Sequence, residues 1–268
     1  MIPVRYIDAW KEHAPWKTPA QIEQDLVLTR AIVEIYSDEL LRNELAFRGG
    51  TALHKIYFQP PARYSEDIDL VRRNVGPVKD IMTALRDRLV WLGKPHTDQK
   101  RDSIKFIYRF ESEIPPVVPL RLKIEINTRE HFSVLGLDYQ KVTMTHPWHS
   151  GEAQVTVYKL EELLGTKLRA LYQRKKGRDL FDLHVASQKH ALDPKRIVKS
   201  FEAYLVNQKI HIPRAEFEAN LAEKLNEPAF GKDMNPLLAS GTSWDIREAA
   251  KYTREKLLSL LADEPPRR

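Results

Sequence analysis

The stretch Phe47-Arg-Gly-Gly-Thr-Ala-Leu-His-Lys55, continued by Arg63-Tyr-Ser-Glu-Asp-Ile-Asp-Leu70, restricts the fold more than any other part of the chain. It reads as strand, glycine turn, short helix, loop and second strand. Phe47 closes an apolar run, and Gly49-Gly50 interrupts it where backbone must turn tightly or approach a ligand closely. Thr51 is placed to cap a short helix whose first amides would point at whatever occupies the turn. A helix start beside glycines is a ready anion site, and a triphosphate is the obvious anion. Asp67-Ile68-Asp69-Leu70-Val71 then alternates as a half-buried strand does, with both aspartates on one face and Ile68 and Leu70 on the other. Two adjacent carboxylates repel unless a cation lies between them, and hard oxygen ligands suit Mg²⁺ or Mn²⁺.

The rest of the N-terminal half supplies a mixed α/β frame. Residues 1 to 17 read as an ordered arm rather than a helix. Thr18-Pro19-Ala20-Gln21 is a capping box with proline at the first helical position, and the helix it opens is expected to run to about Asn43. Leu45-Ala-Phe-Arg48 follows as the first core strand. Pro77 opens an amphipathic helix carrying Val78, Ile81, Met82, Leu85, Leu89 and Leu92, which Gly93 ends. Asp102–Glu111 and Val117–Asn127 alternate and predict a hairpin across the Pro115-Pro116 turn. Tyr139–Thr145 and Ala153–Val157 are shorter strand candidates, with Pro147–Gly151 as a loop. After Val157 the period changes to helical, with helices expected near 159–175, 178–189, 194–207, 214–226 and 244–262. The boundary is therefore placed to give an α/β domain at 1–157 and a helical domain at 158–268. The tail Glu264-Pro-Pro-Arg-Arg is expected to fray.

Glu125 shares a strand face with Arg121 and Lys123. It is either half of a surface Lys/Glu pair or a third carboxylate for the site. In the helix from Lys159, Lys167 falls inside the stripe of Leu160, Leu163, Leu164, Leu168 and Leu171. A lysine there needs an anionic partner or must snorkel from the stripe's edge. Arg174-Lys175-Lys176-Gly177-Arg178 is dense positive charge, compatible with phosphate or RNA and also with a solvated turn. Asp179 and Asp182 then share one helix face, and Arg178 could pair with Asp182 at i+4. His54 is read as exposed, and the scattered histidines form no metal-ligand spacing.

The glycine turn with its Asp-x-Asp strand resembles the polymerase-β-like nucleotidyltransferases. Arg48-Gly-Gly-Thr-Ala-Leu and Arg63-Tyr-Ser-Glu-Asp-Ile-Asp-Leu are most similar to the AbiEii-type abortive-infection toxins among them. Leu122-Lys-Ile-Glu-Ile-Asn127 resembles the strand that bears that superfamily's third carboxylate. Lys167 with Arg178-Asp-Leu-Phe-Asp-Leu183 resembles the C-terminal motif. The resemblance implies a nucleotidyltransferase domain followed by a helical bundle, with the active site in the cleft between them. It implies transfer of a nucleoside monophosphate from an NTP, with Asp67, Asp69 and Glu125 as metal ligands and two Mg²⁺ about 3.5 to 4 Å apart. Gly49, Gly50, Thr51 and Ser65 would meet the triphosphate. Lys167 would contact it as well, with Asp182 as essential acidic partner and Arg178 and Asp179 close by. It further implies a toxin–antitoxin or phage-defence role, a possible antitoxin partner, and the 3′ end of tRNA as acceptor.

Composition excludes some classes and permits others. The 268 residues contain no cysteine, so disulfides and thiolate metal sites are out, and a cytoplasmic setting is expected. No apolar run approaches the roughly 18 residues that a membrane span needs, and the N-terminus lacks a signal-peptide layout. A net charge of +6 allows a polyanionic partner. Other readings stay open: a small-molecule or protein acceptor, a ribonuclease using Asp67, Asp69, Glu125 and Lys123, or a non-catalytic nucleic-acid-binding module.

Overall fold

The computed structural model describes residues 2–263; the tail expected to fray lies outside them. Two compact units are present. The first takes the chain up to Ser133 together with Leu137–Tyr158, and the second takes Val134–Gly136 together with the chain from Lys159 onward.

Unit 1 is built on a seven-stranded mixed sheet. Its strands are β1 (Leu45–Arg48), β2 (Asp67–Arg72), β3 (His96–Gln99), β4 (Ser103–Glu111), β5 (Pro119–Asn127), β6 (Leu137–His146) and β7 (His149–Tyr158). Their spatial order is β3-β4-β5-β2-β1-β7-β6. β1 runs antiparallel to β2, whereas β2–β5 and β1–β7 are parallel. The central strands β2 and β5 bury one face and leave the other half exposed. Phe47, Ile68, Leu70, Val71, Leu122 and Ile124 are wholly buried, each such side chain contributing about 1.5–3 kcal/mol.

Helix α1 (Val4–Ala9) replaces the irregular arm expected at the N-terminus. So short a helix is marginal alone; burial of Ile7 and Trp10, and the 2.8 Å bond from Trp10 Nε1 to Asp25 Oδ2, hold it in place. The capping box is present: Thr18 caps α2 (Pro19–Ser37) and Gln21 reciprocates. The helix does not reach Asn43 unbroken. Asp38 turns extended, and its carboxylate accepts from Leu41 N at 3.1 Å to start α3 (Glu39–Glu44) afresh. After α4 (Gly49–Ala52) and a π-turn to Tyr57, helix α5 (Lys79–Arg88) follows β2. The loop foreseen at Pro147–Gly151 shrinks to Pro147 and Trp148, because β6 and β7 pair to their ends at His146↔His149.

Unit 2 is helical among its described residues: α6 (Leu160–Gln173), α7 (Gly177–Lys189), α8 (Pro194–Asn207), α9 (Arg214–Leu225), α10 (Pro228–Lys232) and α11 (Ile246–Tyr252). Asp193 caps α8 ahead of Pro194, as its sequence suggests. The helix expected over 244–262 is α11 continued by a π-turn and a 3₁₀ turn. Two glycines set close packing here. A side chain at Gly165 would meet Ile197 O on α8 at 2.8 Å, and one at Gly177 would meet Phe230 O at 2.2 Å. No described helix is long and apolar enough to cross a membrane.

Candidate active site

In unit 1 the strand–turn–strand motif closes on itself. Gly49 has φ +82°, the left-handed region that side chains disfavour. A Cβ on it would lie 2.3 Å from Asp69 Oδ2. Glycine is therefore required twice over, by conformation and because the turn is pressed against a carboxylate. At Gly50 a Cβ would lie 2.4 Å from Arg63 Nη2. Arg63 is buried behind the turn and bonds Tyr64 O at 2.9 Å.

Thr51 does not cap α4. It sits inside the helix, buried, and Arg48 is the residue that precedes the first turn. The Thr51 hydroxyl lies 2.8 Å from Ser65 Oγ and also bonds the Asp67 carbonyl, tying α4 to the start of β2. Thr51 is thereby engaged within the turn.

The aspartates of β2 lie on its half-exposed face, as the alternation requires, with Ile68 and Leu70 buried opposite. Parallel register sets Asp67 beside Lys123 and Asp69 beside Glu125. Lys123 Nζ is 2.8 Å from Asp67 Oδ2 and 3.5 Å from Glu125 Oε2, and Lys105 Nζ lies 3.4 Å from Glu125. Glu125 pairs with these lysines and stands beside Asp69 in register. Burial pulls the Lys123 pKa down, but the carboxylates of Asp67, Asp69 and Glu125 outweigh it and raise it. On the other flank Arg48, opposite Asp69 in register, donates to Glu130 at 2.6 Å.

A divalent ion fits this donor set. Asp67 Oδ1 is buried with no hydrogen-bond partner, and the available donors are hard oxygens. Among the described residues no group of three or more His, Cys, Asp or Glu side chains could hold a metal unaided. Asp67 and Asp69 would therefore hold such an ion together with phosphate or water oxygens, which is how Mg²⁺ is commonly bound.

The remaining predicted residues lie in unit 2. Lys167 is buried and paired rather than snorkelling: its Nζ is 3.1 Å from Asp179 Oδ1 and 2.9 Å from Asp182 Oδ2. Arg174 adds a fork onto Asp179 at 2.7 and 2.8 Å. Both aspartates are wholly buried. Burial alone would raise the Asp179 pKa, but Lys167 and Arg174 carry it below the usual carboxylate range. Arg178 does not pair with Asp182 at i+4. It binds Asp233 through two contacts of 3.1 Å, because α10 is followed immediately by that acid.

Sequence reasoning missed Arg63, and it missed Arg48–Glu130 and Arg178–Asp233, whose partners are remote in sequence. Arg63 had one signal, its place at the head of the Arg63-Tyr-Ser run. His54 is buried rather than exposed, and its ring packs edge-on to Phe58 at 5.1 Å.

The family model for the nucleotidyl transferase AbiEii toxin of type IV toxin–antitoxin systems matches residues 30–252. Among solved structures, MenT4, a nucleotidyltransferase toxin from Mycobacterium tuberculosis, is similar at TM-score 0.57 and 14% identity, over 98% of this chain and 100% of that one. JHP933 from Helicobacter pylori is similar at TM-score 0.51 and 17% identity, over 86% of this chain and 87% of that one. A search of curated proteins finds no match. The family supplies an NTP as substrate and an antitoxin as counterpart. The motif residues, the mixed sheet and the family match agree, and the chain belongs to the AbiEii nucleotidyltransferase toxin family.

Proposed function

We propose that this chain transfers a nucleoside monophosphate from an NTP to the 3′ end of tRNA in the cytoplasm, releasing pyrophosphate. The observation that carries the reading is the Asp67–Asp69 face, with one orphaned buried oxygen, pressed directly against the Gly49 turn. That arrangement puts metal-type donors beside phosphate-type donors. In the reaction a hydroxyl oxygen of the acceptor bonds the α-phosphorus, the bond to the β-phosphate oxygen breaks, and the hydroxyl proton is released. The amides of Gly49 and Gly50 bind the phosphates. Ser65 and Thr51 brace that turn, and Asp67 and Asp69 hold Mg²⁺ or Mn²⁺. When bound, the divalent ions would supply two-metal phosphoryl-transfer chemistry, screening the triphosphate and acidifying the attacking hydroxyl.

Glu125 supports the aspartates through Lys123. Lys167 has three donors, of which Asp179 and Asp182 take one each. The remaining donor suits an anionic ligand. Asp182 and Asp179 hold that lysine, and Arg178 is anchored by Asp233.

Incubation with Mg²⁺, total cellular RNA and each α-³²P-labelled NTP tests the assignment, with Asp69→Asn alongside. Label in a discrete small-RNA band, absent from the variant, is expected. Label on protein or on a small molecule would replace the acceptor. Shortened, unlabelled RNA would replace transfer with cleavage.

A further inference from the structure

One feature of unit 1 is used by none of the chemistry above. On the antiparallel β4–β5 hairpin, Arg109 stands directly opposite Arg121. Both are exposed, and among the described residues neither guanidinium pairs with a carboxylate. Glu111, two residues on from Arg109, stands opposite Pro119 and joins no ion pair either. Like charges directly opposed across a ladder are destabilising, and the opposition is relieved when an anion lies between them. The neighbouring cations differ in this respect, since Lys105 and Lys123 already hold Glu125 and Asp67.

Position makes the pair informative. Period two puts Arg121 on the same face of β5 as Lys123, which stands in register with Asp67. Arg121 therefore lies about 7 Å along that face from the level of Asp67, with Asp69 and Glu125 about 7 Å further on. β3 covers β4 only between Ile104 and Ile107, so Arg109 lies on an open edge. The two arginines, with Phe110, Glu111, Pro119 and Leu120, line a shallow depression of about 480 Å³. Two guanidinium groups side by side at an exposed strand end match the phosphates of a nucleic-acid backbone, which take the charge.

We propose that the Arg109–Arg121 pair is the contact for the backbone of the acceptor RNA as its end approaches the carboxylates. This rests on the RNA-acceptor reading above. The test is fluorescence-anisotropy binding of labelled unfractionated tRNA to the full chain across a salt series, for wild type and for Arg109→Gln/Arg121→Gln. A methylanthraniloyl-ATP titration runs in parallel. The double variant should bind tRNA roughly tenfold more weakly, with a salt slope shallower by about 1.4, two charges at about 0.7 each. Its affinity for the ATP analogue should be unchanged, and its thermal midpoint equal or higher, since an unfavourable opposition is removed. Arg109→Lys/Arg121→Lys should restore most binding, and neutralising the exposed Lys195 and Lys199 of α8 should not reproduce the loss. An unchanged tRNA affinity and slope in the double variant would overturn the contact while leaving nucleotidyl transfer standing. Equal weakening of the ATP analogue would overturn it in favour of a triphosphate contact. Wild type that binds no RNA, yet labels another acceptor, would overturn this contact and the RNA acceptor together.

Discussion

At the scale of single residues, Lys167 and Gly49 carry the sharpest expectations. Lys167→Met would take the shared lysine from two wholly buried aspartates, Asp179 keeping its Arg174 fork, and breaking a buried pair on one side costs roughly 3–5 kcal/mol. Chemical denaturation should show a loss of that order, whereas a lysine at the stripe's edge would have cost almost nothing. The same cluster sets an acid limit. Because the Asp179 carboxyl is held below its ordinary value in the folded chain, its contribution is complete above the unfolded value and fades as pH falls through the lower folded one. Melting temperatures of wild type should therefore drop on acidification below the ordinary aspartate range, and Asp179→Asn should flatten that part of the profile. For Gly49→Ala, the methyl would overlap Asp69 Oδ2 and the backbone would be held at φ +82°. Transfer should fall at least a hundredfold in a labelled-NTP assay, with about 1–2 kcal/mol lost from stability. Retained turnover would show that the turn can shift without penalty.

Elements were legible from sequence where local chemistry governs them and obscure where partners do. The Thr18 capping box, the Asp193-Pro194 start of α8 and the alternation of β2 and β5 all rest on residues a few positions apart, and each is present. β3 and α10 were not foreseen. His96–Gln99 has no apolar face of its own and forms by pairing with β4, and Pro228–Lys232 is a single short turn of helix. The division of the first long helix was hidden because Leu40 and Leu41 keep the helical period running across Asp38. Asp38→Ala tests what the break is worth. Losing that cap should cost about 1 kcal/mol, read as a lower denaturation midpoint with the slope unchanged. At the site, the Asp-x-Asp face and the buried Lys167 could be read from spacing. Arg48–Glu130 and Arg178–Asp233 could not, since only folding brings together residues so far apart in the chain.

At the scale of the whole molecule, the chain does not pass once from one unit to the other. It enters unit 2 briefly at Val134–Gly136, returns for β6 and β7, and leaves again after Tyr158. The brief visit is anchored: the amides of Val134 and Leu135 each donate at 2.8 Å to the buried carboxylate of Glu162, which also receives the Tyr204 hydroxyl at 2.9 Å. A fragment beginning at Lys159 would lack two of those donors. It should unfold more readily than the same helices in the intact chain, by hydrogen exchange at α6. Conversely, a protease nick after Tyr158 should leave the two pieces co-eluting, because the N-terminal piece still carries the inserted tripeptide. The threading also bears on how such toxins can diversify. A single genetic crossover near Tyr158 would join a new helical unit to a tripeptide selected against a different Glu162 environment. Shuffling of intact halves is thereby discouraged, and the two units are expected to have changed together, by point substitution rather than by exchange.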